Sequence, residues 1–245
     1  VSGAERVGDI LPDFSRDQTW AILGKIDGDL IKKAWNSGHN LQQVAACGNR
    51  YALLFESKKH SKQTMQIWQN TKDYPLEVIK KNWNDKRSIL QLNHLRGMWF
   101  LLMAKLPGNP GQGAPRKTGK FGDVINEHWK KKYLVRHAQS VGEKWVMVTE
   151  KQPPNVTTWR WFANPKFPEE KIRENWGNNY RIAFAQYSNA KWYVMMYKVK
   201  KTYFQKYILR AQFPVDEIEA AAKEGYYVHD LNGGSGKWMV VFNKR

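Results

Sequence analysis

The chain has 245 residues, and its 40 Lys and Arg residues exceed its 22 Asp and Glu residues by 18 charges. Hydrophobic residues make up 42% and aromatic residues 13%, which excludes a disordered chain and is enough to build a sizeable core. The single Cys excludes an intrachain disulfide framework and a Cys-rich zinc site, and no apolar run approaches the length of a membrane span. We therefore predict an intracellular protein, cytoplasmic or nuclear, that binds an anionic partner.

The sequence repeats itself five times after an N-terminal arm or cloning remnant at residues 1–16. Each copy has an aliphatic residue, which we call its anchor, and the anchors are spaced 48, 46, 47 and 46 residues apart. The anchors are Ile31, Ile79, Ile125, Ile172 and Ile218. An aromatic residue follows 20 positions after each anchor, at Tyr51, Trp99, Trp145, Trp192 and Trp238. This regularity predicts one repeat domain over residues 17–245, with copies at about 17–58, 59–105, 106–151, 152–198 and 199–245.

Each copy predicts the same elements in the same order. A helix carries the anchor and, in four copies, a Trp four residues later on the same face: Trp35, Trp83, Trp129 and Trp176. Seven residues after the anchor, Gly or Asn in three of the five copies indicates a left-handed cap that closes the helix; the residues are Gly38, Lys86, Lys132, Asn179 and Gly225. A strand, a Gly-bearing turn and a continuously apolar strand follow as a hairpin. An alternating strand precedes most helices, but residues 106–120 are rich in Gly and Pro and predict an exposed loop in its place.

Read cyclically, the unit is strand, strand, helix, strand. One unit cannot bury both a helix face and a sheet face, so neighbouring units must pack on each other. We predict an α/β fold in which five units of about 47 residues close into a propeller- or pentein-like ring, with sheets inside and helices outside. The alternative is an open solenoid, which would need polar capping repeats that the sequence lacks.

The pattern FPEEKIRENWGNNYRI, from Phe167, resembles repeats found C-terminal to the kinase domain in plant casein-kinase-type histone kinases and in prokaryotic relatives. The resemblance implies an accessory repeat domain beside an effector such as a kinase. The chain itself has no HRD, DFG or glycine-rich nucleotide motif. The topology is also similar to that of penteins, which include guanidine-modifying enzymes with a Cys nucleophile and a non-enzymatic ribosome anti-association factor; this likeness concerns the fold alone.

Basic residues recur at two equivalent positions. Nineteen residues after the anchor stand Arg50, Met98, Lys144, Lys191 and Lys237. Twenty-six residues after it stand Ser57, Lys105, Lys151, Lys198 and Lys244. In a ring, these positions would form two cationic circles at opposite ends of the apolar strands, roughly 23 Å apart. They predict binding of a polyanion, although lysines that merely end a buried strand would look the same.

Two further groups could contact a ligand. Amides fourteen residues after the anchor, at Asn93, Gln139, Gln186 and Asn232, could line an axial cavity. Trp159 and Trp161 alternate with Arg160, so the two tryptophans lie on one face of the strand. They could stack on bases or a sugar, or could simply cover the helix layer.

Catalytic chemistry has little support in the sequence. Cys47 could act as a nucleophile with His39, His94 or His137 as its base, but it lies in a hairpin-turn position that other copies fill with unrelated residues. The six His residues show no metal-binding spacing. We therefore predict a non-enzymatic binding, targeting or regulatory module, without a cofactor or metal, for nucleic acid or an acidic protein. Two alternatives stay open: a sensor of a small anionic ligand such as a nucleotide at the ring axis, and a pentein-like Cys enzyme.

Overall fold

The computed structural model of the protein describes residues 9–108, 111–118, 120–142, 144–201 and 203–244. Within these ranges the fold is mixed α/β, with five helices and five separate three-stranded antiparallel sheets. The helices are α1 (Gly28–Asn36), α2 (Leu76–Asn84), α3 (Phe121–Lys130), α4 (Glu169–Gly177) and α5 (Val215–Lys223). The first three sheets are formed by β1 (Gln18–Leu23), β2 (His39–Cys47) and β3 (Arg50–Ser57); β4 (Thr64–Thr71), β5 (Arg87–Leu95) and β6 (Met98–Lys105); β7 (Gln112–Thr118), β8 (Tyr133–Val141) and β9 (Lys144–Lys151). The last two are formed by β10 (Val156–Asn164), β11 (Tyr180–Ser188) and β12 (Lys191–Val199); β13 (Gln205–Arg210), β14 (Tyr226–Gly234) and β15 (Lys237–Lys244).

Every repeat has the same sheet order, in which the third strand lies between the first and the second. The apolar third strands, β3, β6, β9, β12 and β15, are therefore the central strands, as their sequence predicts. The second strands, β2, β5, β8, β11 and β14, are named lining strands here because they line the cavity described below. Each lining strand pairs with its central strand as a hairpin. Each also carries a register shift at the residue eleven positions after the anchor, a bulge that bends the strand and re-aims its side chains.

The predicted helix caps are confirmed. The second residue after each helix has a positive φ, from 61° at Lys86 to 83° at Gly225, including the two copies that use Lys. Pro75, Pro168 and Pro214 stand at the N-cap, one position before the helix begins, where a missing N–H leaves no hydrogen bond unmade.

The loop predicted over residues 106–120 is wrong for residues 112–118. These residues form β7, which pairs with β9 as the first strand of the third sheet. Gly and Pro suggested a loop because they weaken a regular strand. Here the register shifts between Gly113 and Arg116, so Pro115 lies in an irregular part of an edge strand, where it disturbs the ladder least.

The core consists of clusters that successive repeats share. Each anchor packs in a cluster that contains residues from its own sheet and from the next repeat: Ile31 with Phe100, Ile79 with Val146, Ile125 with Met195, and Ile172 with Val241. The same arrangement joins Ile218 of the fifth repeat to Leu54 of the first. Each helix anchor is thus buried against its own sheet and against the sheet of a neighbouring repeat. The aromatic residue twenty positions after each anchor is buried in every repeat.

No helix within the described ranges has the length and apolarity needed to cross a membrane.

Candidate binding surfaces

A glutamine in the first strand of four repeats clamps the lining strand of the neighbouring repeat. Gln66 Nε2 donates to the carbonyl of Leu41 at 2.7 Å, and the Leu41 N–H donates to Gln66 Oε1 at 3.0 Å. Three other pairs make the same two bonds: Gln112 with Ile89, Gln205 with Ile182, and Gln18 with Val228. Each glutamine stands thirteen residues before its anchor, a repeated signal that the sequence analysis missed. These clamps hold together sheets that share no backbone ladder.

The fourth repeat has Trp159 at this position, and the bond to the lining strand of the third repeat comes from elsewhere. The Tyr197 hydroxyl donates to the carbonyl of Val135, the equivalent backbone group. Trp159 packs edge-on against Trp129, with ring centroids 6.3 Å apart. Trp161 packs edge-on against Phe121 at 5.1 Å. Both tryptophans, predicted as stacking residues, thus lie half-buried between the third and fourth repeats.

A cavity of about 420 Å³ is lined by residues from all five repeats, and we call it the five-repeat cavity. Its lining includes one equivalent residue from each lining strand, twelve positions after the anchor: Gln43, Gln91, His137, Phe184 and Asp230. Residues near the ends of the central strands, including Glu56, Glu150 and Tyr197, complete its wall. The cavity therefore lies towards the end of the molecule where the central strands finish.

Side chains in the five-repeat cavity bridge adjacent lining strands. Gln91 bonds both backbone groups of Val44, with N···O distances of 2.8 and 2.9 Å. Asp230, only 3% exposed, accepts hydrogen bonds from the Ala185 N–H at 2.9 Å and from Gln43 Nε2 at 3.0 Å. Burial raises the pKa of Asp230 to about 6, although these hydrogen bonds favour its charged form. Burial lowers the pKa of His137 to about 4, and the nearby Arg136 adds to this shift.

The cations in the cavity wall already have partners inside the protein. Arg136 forms an ion pair with Glu150 at 3.0 Å. Arg181 Nε donates to the carbonyl of Tyr203 at 2.6 Å, and its Nη1 donates to the carbonyls of Tyr180 and Trp176. In contrast, Oε1 of Gln43 is a buried acceptor with no partner among the described residues. The cavity therefore presents a hydrogen-bond acceptor without a partner, whereas its two arginines are already paired.

The predicted axial amides lie two positions further along the lining strands and are not part of the cavity lining. All four, Asn93, Gln139, Gln186 and Asn232, are buried. Asn232 Nδ2 donates to Asp230, whereas the side-chain oxygens of the other three have no partner among the described residues. Whether these amides contact a ligand stays a prediction.

The end of the molecule where the central strands finish is named the basic end. Lys105, Lys151, Lys198 and Lys244 are each within one residue of the end of a central strand. Backbone bonds place these strand ends beside the helix C-termini, for example from the Gln152 N–H to the Lys132 carbonyl at 2.8 Å. Among the described residues, none of the four lysines forms a salt bridge. Exposed lysines follow two of the strands, at Lys58, Lys59, Lys200 and Lys201.

Aromatic residues alternate with cations at the basic end. Tyr133, Tyr180 and Tyr226 stand opposite Lys151, Lys198 and Lys244 in their ladders. The Lys198 Nζ lies 5.9 Å from the centroid of the Tyr180 ring, and the Lys244 Nζ lies 5.5 Å from that of Tyr226.

The opposite end, named the hairpin end, carries the other predicted cationic positions but fewer available charges. Arg50 donates to the Ile22 carbonyl at 3.0 Å and pairs with Asp9 at 3.0 Å. Lys191 and Lys237 are exposed. Lys144 begins β9, and its side chain lies outside the described part of the structure, as do the Arg116 and Lys117 side chains of β7.

Two exposed apolar residues at the basic end were missed by the sequence analysis. Phe204 is 72% exposed and Met65 is 61% exposed. Both stand fourteen residues before an anchor, directly before a clamp glutamine. Their equivalence follows from the alignment of the clamp glutamines, because no motif of their own marks these two positions.

Cys47, at the last position of β2, is partly buried. Burial raises the pKa of its thiol, and a backbone hydrogen bond with Gly234 opposes this in part. Across the residues that the structure describes, no cluster of three or more His, Cys, Asp or Glu side chains could hold a metal ion.

A family described as "Domain of unknown function (DUF7477)" matches residues 160–245, which hold most of the fourth repeat and all of the fifth. Comparison with curated proteins and with solved structures gave no match.

Proposed function

We propose that this chain is a non-enzymatic ring of five repeats that binds a polyanion through its basic end. The observation that carries the proposal is the placement of Lys105, Lys151, Lys198 and Lys244. They recur at one equivalent position, lack salt bridges within the described ranges, and end the strands beside the five-repeat cavity. Such a cluster attracts phosphates or carboxylates at long range and needs no particular sequence in its partner.

Closure of the ring is supported by the contacts between the fifth and first repeats. Gln18 makes on Val228 the two bonds that Gln66 makes on Leu41 within the series. The cluster around Ile218 includes Trp20 and Leu54 of the first repeat. Since this junction uses the same residues as the others, no terminal repeat needs a special cap.

The basic end is a better candidate than the hairpin end because more of its repeats supply a described cation that has no salt bridge. At the hairpin end, Arg50 is held by Asp9 and by a backbone carbonyl, and the second repeat has Met98 in place of a cation. At the basic end, four repeats supply a lysine and further lysines follow. The resemblance to repeats beside kinase domains supports an intracellular accessory role, in which the ring delivers an effector to its anionic target.

The test is a charge-reversal series with a matched control. Lys151, Lys198 and Lys244 are changed together to Glu, and the control changes the exposed Lys166, Lys191 and Lys237 together to Glu. Both triple variants alter the net charge equally.

Binding of labelled heparin and of a labelled single-stranded oligonucleotide is measured against salt concentration. We expect the basic-end variant to lose about tenfold or more in affinity. For the oligonucleotide, the slope of log K against log salt concentration should become less negative by about two to three. Equal losses in the two variants would show that only net charge matters, and no binding by the native chain at low salt would overturn the proposal.

The five-repeat cavity favours a second candidate function, a sensor of a small ligand. Its volume of about 420 Å³ is in the range of small-molecule sites. Because Arg136 and Arg181 are engaged and the acceptor Gln43 Oε1 is not, a ligand that donates hydrogen bonds fits its chemistry better than the nucleotide that the sequence suggested. A thermal-shift panel of polyols, amines and nucleotides tests this, because a ligand of the folded state raises apparent stability. A shift that Gln43→Leu abolishes would support the candidate, and no shift across the panel would remove it.

A further inference from the structure

We infer that the basic end recognises single-stranded nucleic acid by stacking a base on Phe204. This inference rests on the proposed function and narrows its polyanion to one class of partner. Among the large hydrophobic side chains that are exposed in the described part of the chain, Phe204 is the only aromatic one. Its exposure leaves a face of the aromatic ring available for a base to stack on, and the stacked ring would lose contact with water.

The backbone at Phe204 is held in place on both sides. The Lys244 N–H donates to the Phe204 carbonyl at 2.9 Å, which ties the segment to the end of β15. The Arg181 Nε donates to the carbonyl of the preceding residue, Tyr203, at 2.6 Å. A ring presented from a fixed backbone loses little conformational entropy when a base stacks on it.

Cations lie near the exposed ring, both in space and in the sequence. The Lys244 Nζ lies 5.9 Å from the Phe204 ring centroid, and Lys200 and Lys201 are exposed shortly before it. The Lys206 Nζ lies 4.3 Å from the ring centroid of Tyr226, but it is paired with Glu224 at 2.6 Å. Among the described residues, the free cations near Phe204 are therefore those of Lys244, Lys200 and Lys201. Proteins that bind single strands combine these two features, an aromatic platform for bases and a basic track for the backbone.

The exposed ring favours nucleic acid over an acidic protein as the partner. Acidic side chains would pair with the lysines but would leave the face of the Phe204 ring without a stacking contact. Bases stacked within a duplex are not free to lie on a side chain, so an unpaired base is required. The tryptophans first expected to stack, Trp159 and Trp161, are packed between repeats and are less available for this role.

The experiment compares probes that differ only in whether they carry bases. A labelled dT12 and an abasic 12-mer with the same phosphates are titrated with the native chain, with Phe204→Ala, with Phe204→Trp and with Met65→Ala. Met65→Ala is the matched control, because Met65 is the exposed apolar residue at the equivalent position of the second repeat. A poly-Glu peptide is titrated in parallel.

We expect Phe204→Ala to weaken dT12 binding about tenfold while leaving abasic binding and the salt dependence unchanged. Phe204→Trp should retain dT12 binding, and Met65→Ala should change neither affinity by more than about twofold. If Phe204→Ala has no effect, or weakens both oligonucleotides equally, base stacking is overturned although polyanion binding stands. Poly-Glu bound as tightly as dT12 would likewise overturn it in favour of an acidic protein. If no probe binds at low salt, the proposed function fails with it.

Discussion

The side chain of Gln18 bonds both backbone groups of Val228, a residue 210 positions later in the sequence. Its Nε2 donates to the Val228 carbonyl at 3.1 Å, and the Val228 N–H donates to its Oε1 at 2.7 Å. The strands that carry the two residues belong to different sheets. This amide therefore joins the first repeat to the fifth at the point where no backbone ladder does so.

Removing the clamp should destabilise the whole domain. In Gln18→Ala, the Val228 N–H and carbonyl lose partly buried partners, which costs about 1–3 kcal/mol of unfolding free energy. Gln205→Ala removes the equivalent clamp between the fifth and fourth repeats and is the matched comparison. Urea unfolding should give similar losses for the two variants. A neutral Gln18→Ala beside a costly Gln205→Ala would contradict closure between the first and fifth repeats.

Two glycines near the end of β14 mark close contacts between repeats. A Cβ at Gly233 would lie 2.1 Å from the carbonyl oxygen of Ala46, and one at Gly234 would lie 2.0 Å from the Cβ of Tyr187. Because these neighbours are backbone or the rigid start of a side chain, they cannot move aside. We expect Gly234→Ala to cost about 1–3 kcal/mol or more.

Gly24→Ala provides the control, since a Cβ there would meet nothing within 4 Å. It should change the unfolding free energy by less than about 0.5 kcal/mol. Thermal or urea unfolding of both variants measures the two changes in unfolding free energy. A tolerated Gly234→Ala would mean that the hairpins of the fourth and fifth repeats do not pack closely in solution.

The repeating elements could be predicted from the sequence because local chemistry determines them. The anchor and the buried aromatic twenty residues later recur without insertion, and the cap after each helix is left-handed even where Lys132 occupies it. The strand β7 could not be predicted, because its Gly and Pro content is typical of loops. Pairing with β9 and the Gln112 clamp to Ile89 are long-range effects that no local window contains.

The candidate site was predictable only in part. Equivalent lysines were visible as a repeated position, but the sequence could not show that Arg50 is engaged while Lys244 lies beside an exposed ring. The cavity lining includes the bulge residue of each lining strand, as at Gln42. Bulges arise from the match between two strands, so the depth of the cavity along the strand cannot be derived from one strand alone.

Asp230 should make stability depend on pH in a direction opposite to that of His137 and His229. Its pKa of about 6 in the folded chain exceeds the ordinary value of 3.8, so the folded state holds the proton more tightly. Its contribution therefore becomes less favourable as the pH rises from about 4 to 6, by on the order of 3 kcal/mol. His137 and His229, with pKa values lowered to about 4, favour the folded state above pH 6.5 and lose this contribution as the pH falls.

Asp230→Asn separates the pH dependence due to Asp230 from that due to the two histidines. The unfolding free energy of the variant, measured relative to the native chain in urea, should improve steadily between pH 4 and pH 7, because the variant cannot acquire the buried charge. Asp216→Asn makes the same change in charge at an exposed helix start and should show no such trend. A flat difference for Asp230→Asn across this range would contradict an unusually basic carboxylate in the five-repeat cavity.

Cys47 should be dispensable for polyanion binding. Burial raises the pKa of its thiol, so the reactive thiolate is scarce at neutral pH, and a nucleophilic role would need the opposite shift. Cys47→Ser should therefore leave the affinity for heparin and for single strands unchanged within about twofold. Alkylation of the native chain by iodoacetamide at pH 7 should be slower than that of a free cysteine. Rapid alkylation, or loss of a measured activity in a Cys47→Ser variant that unfolds at the native urea concentration, would instead favour the pentein-like Cys enzyme over the binding module.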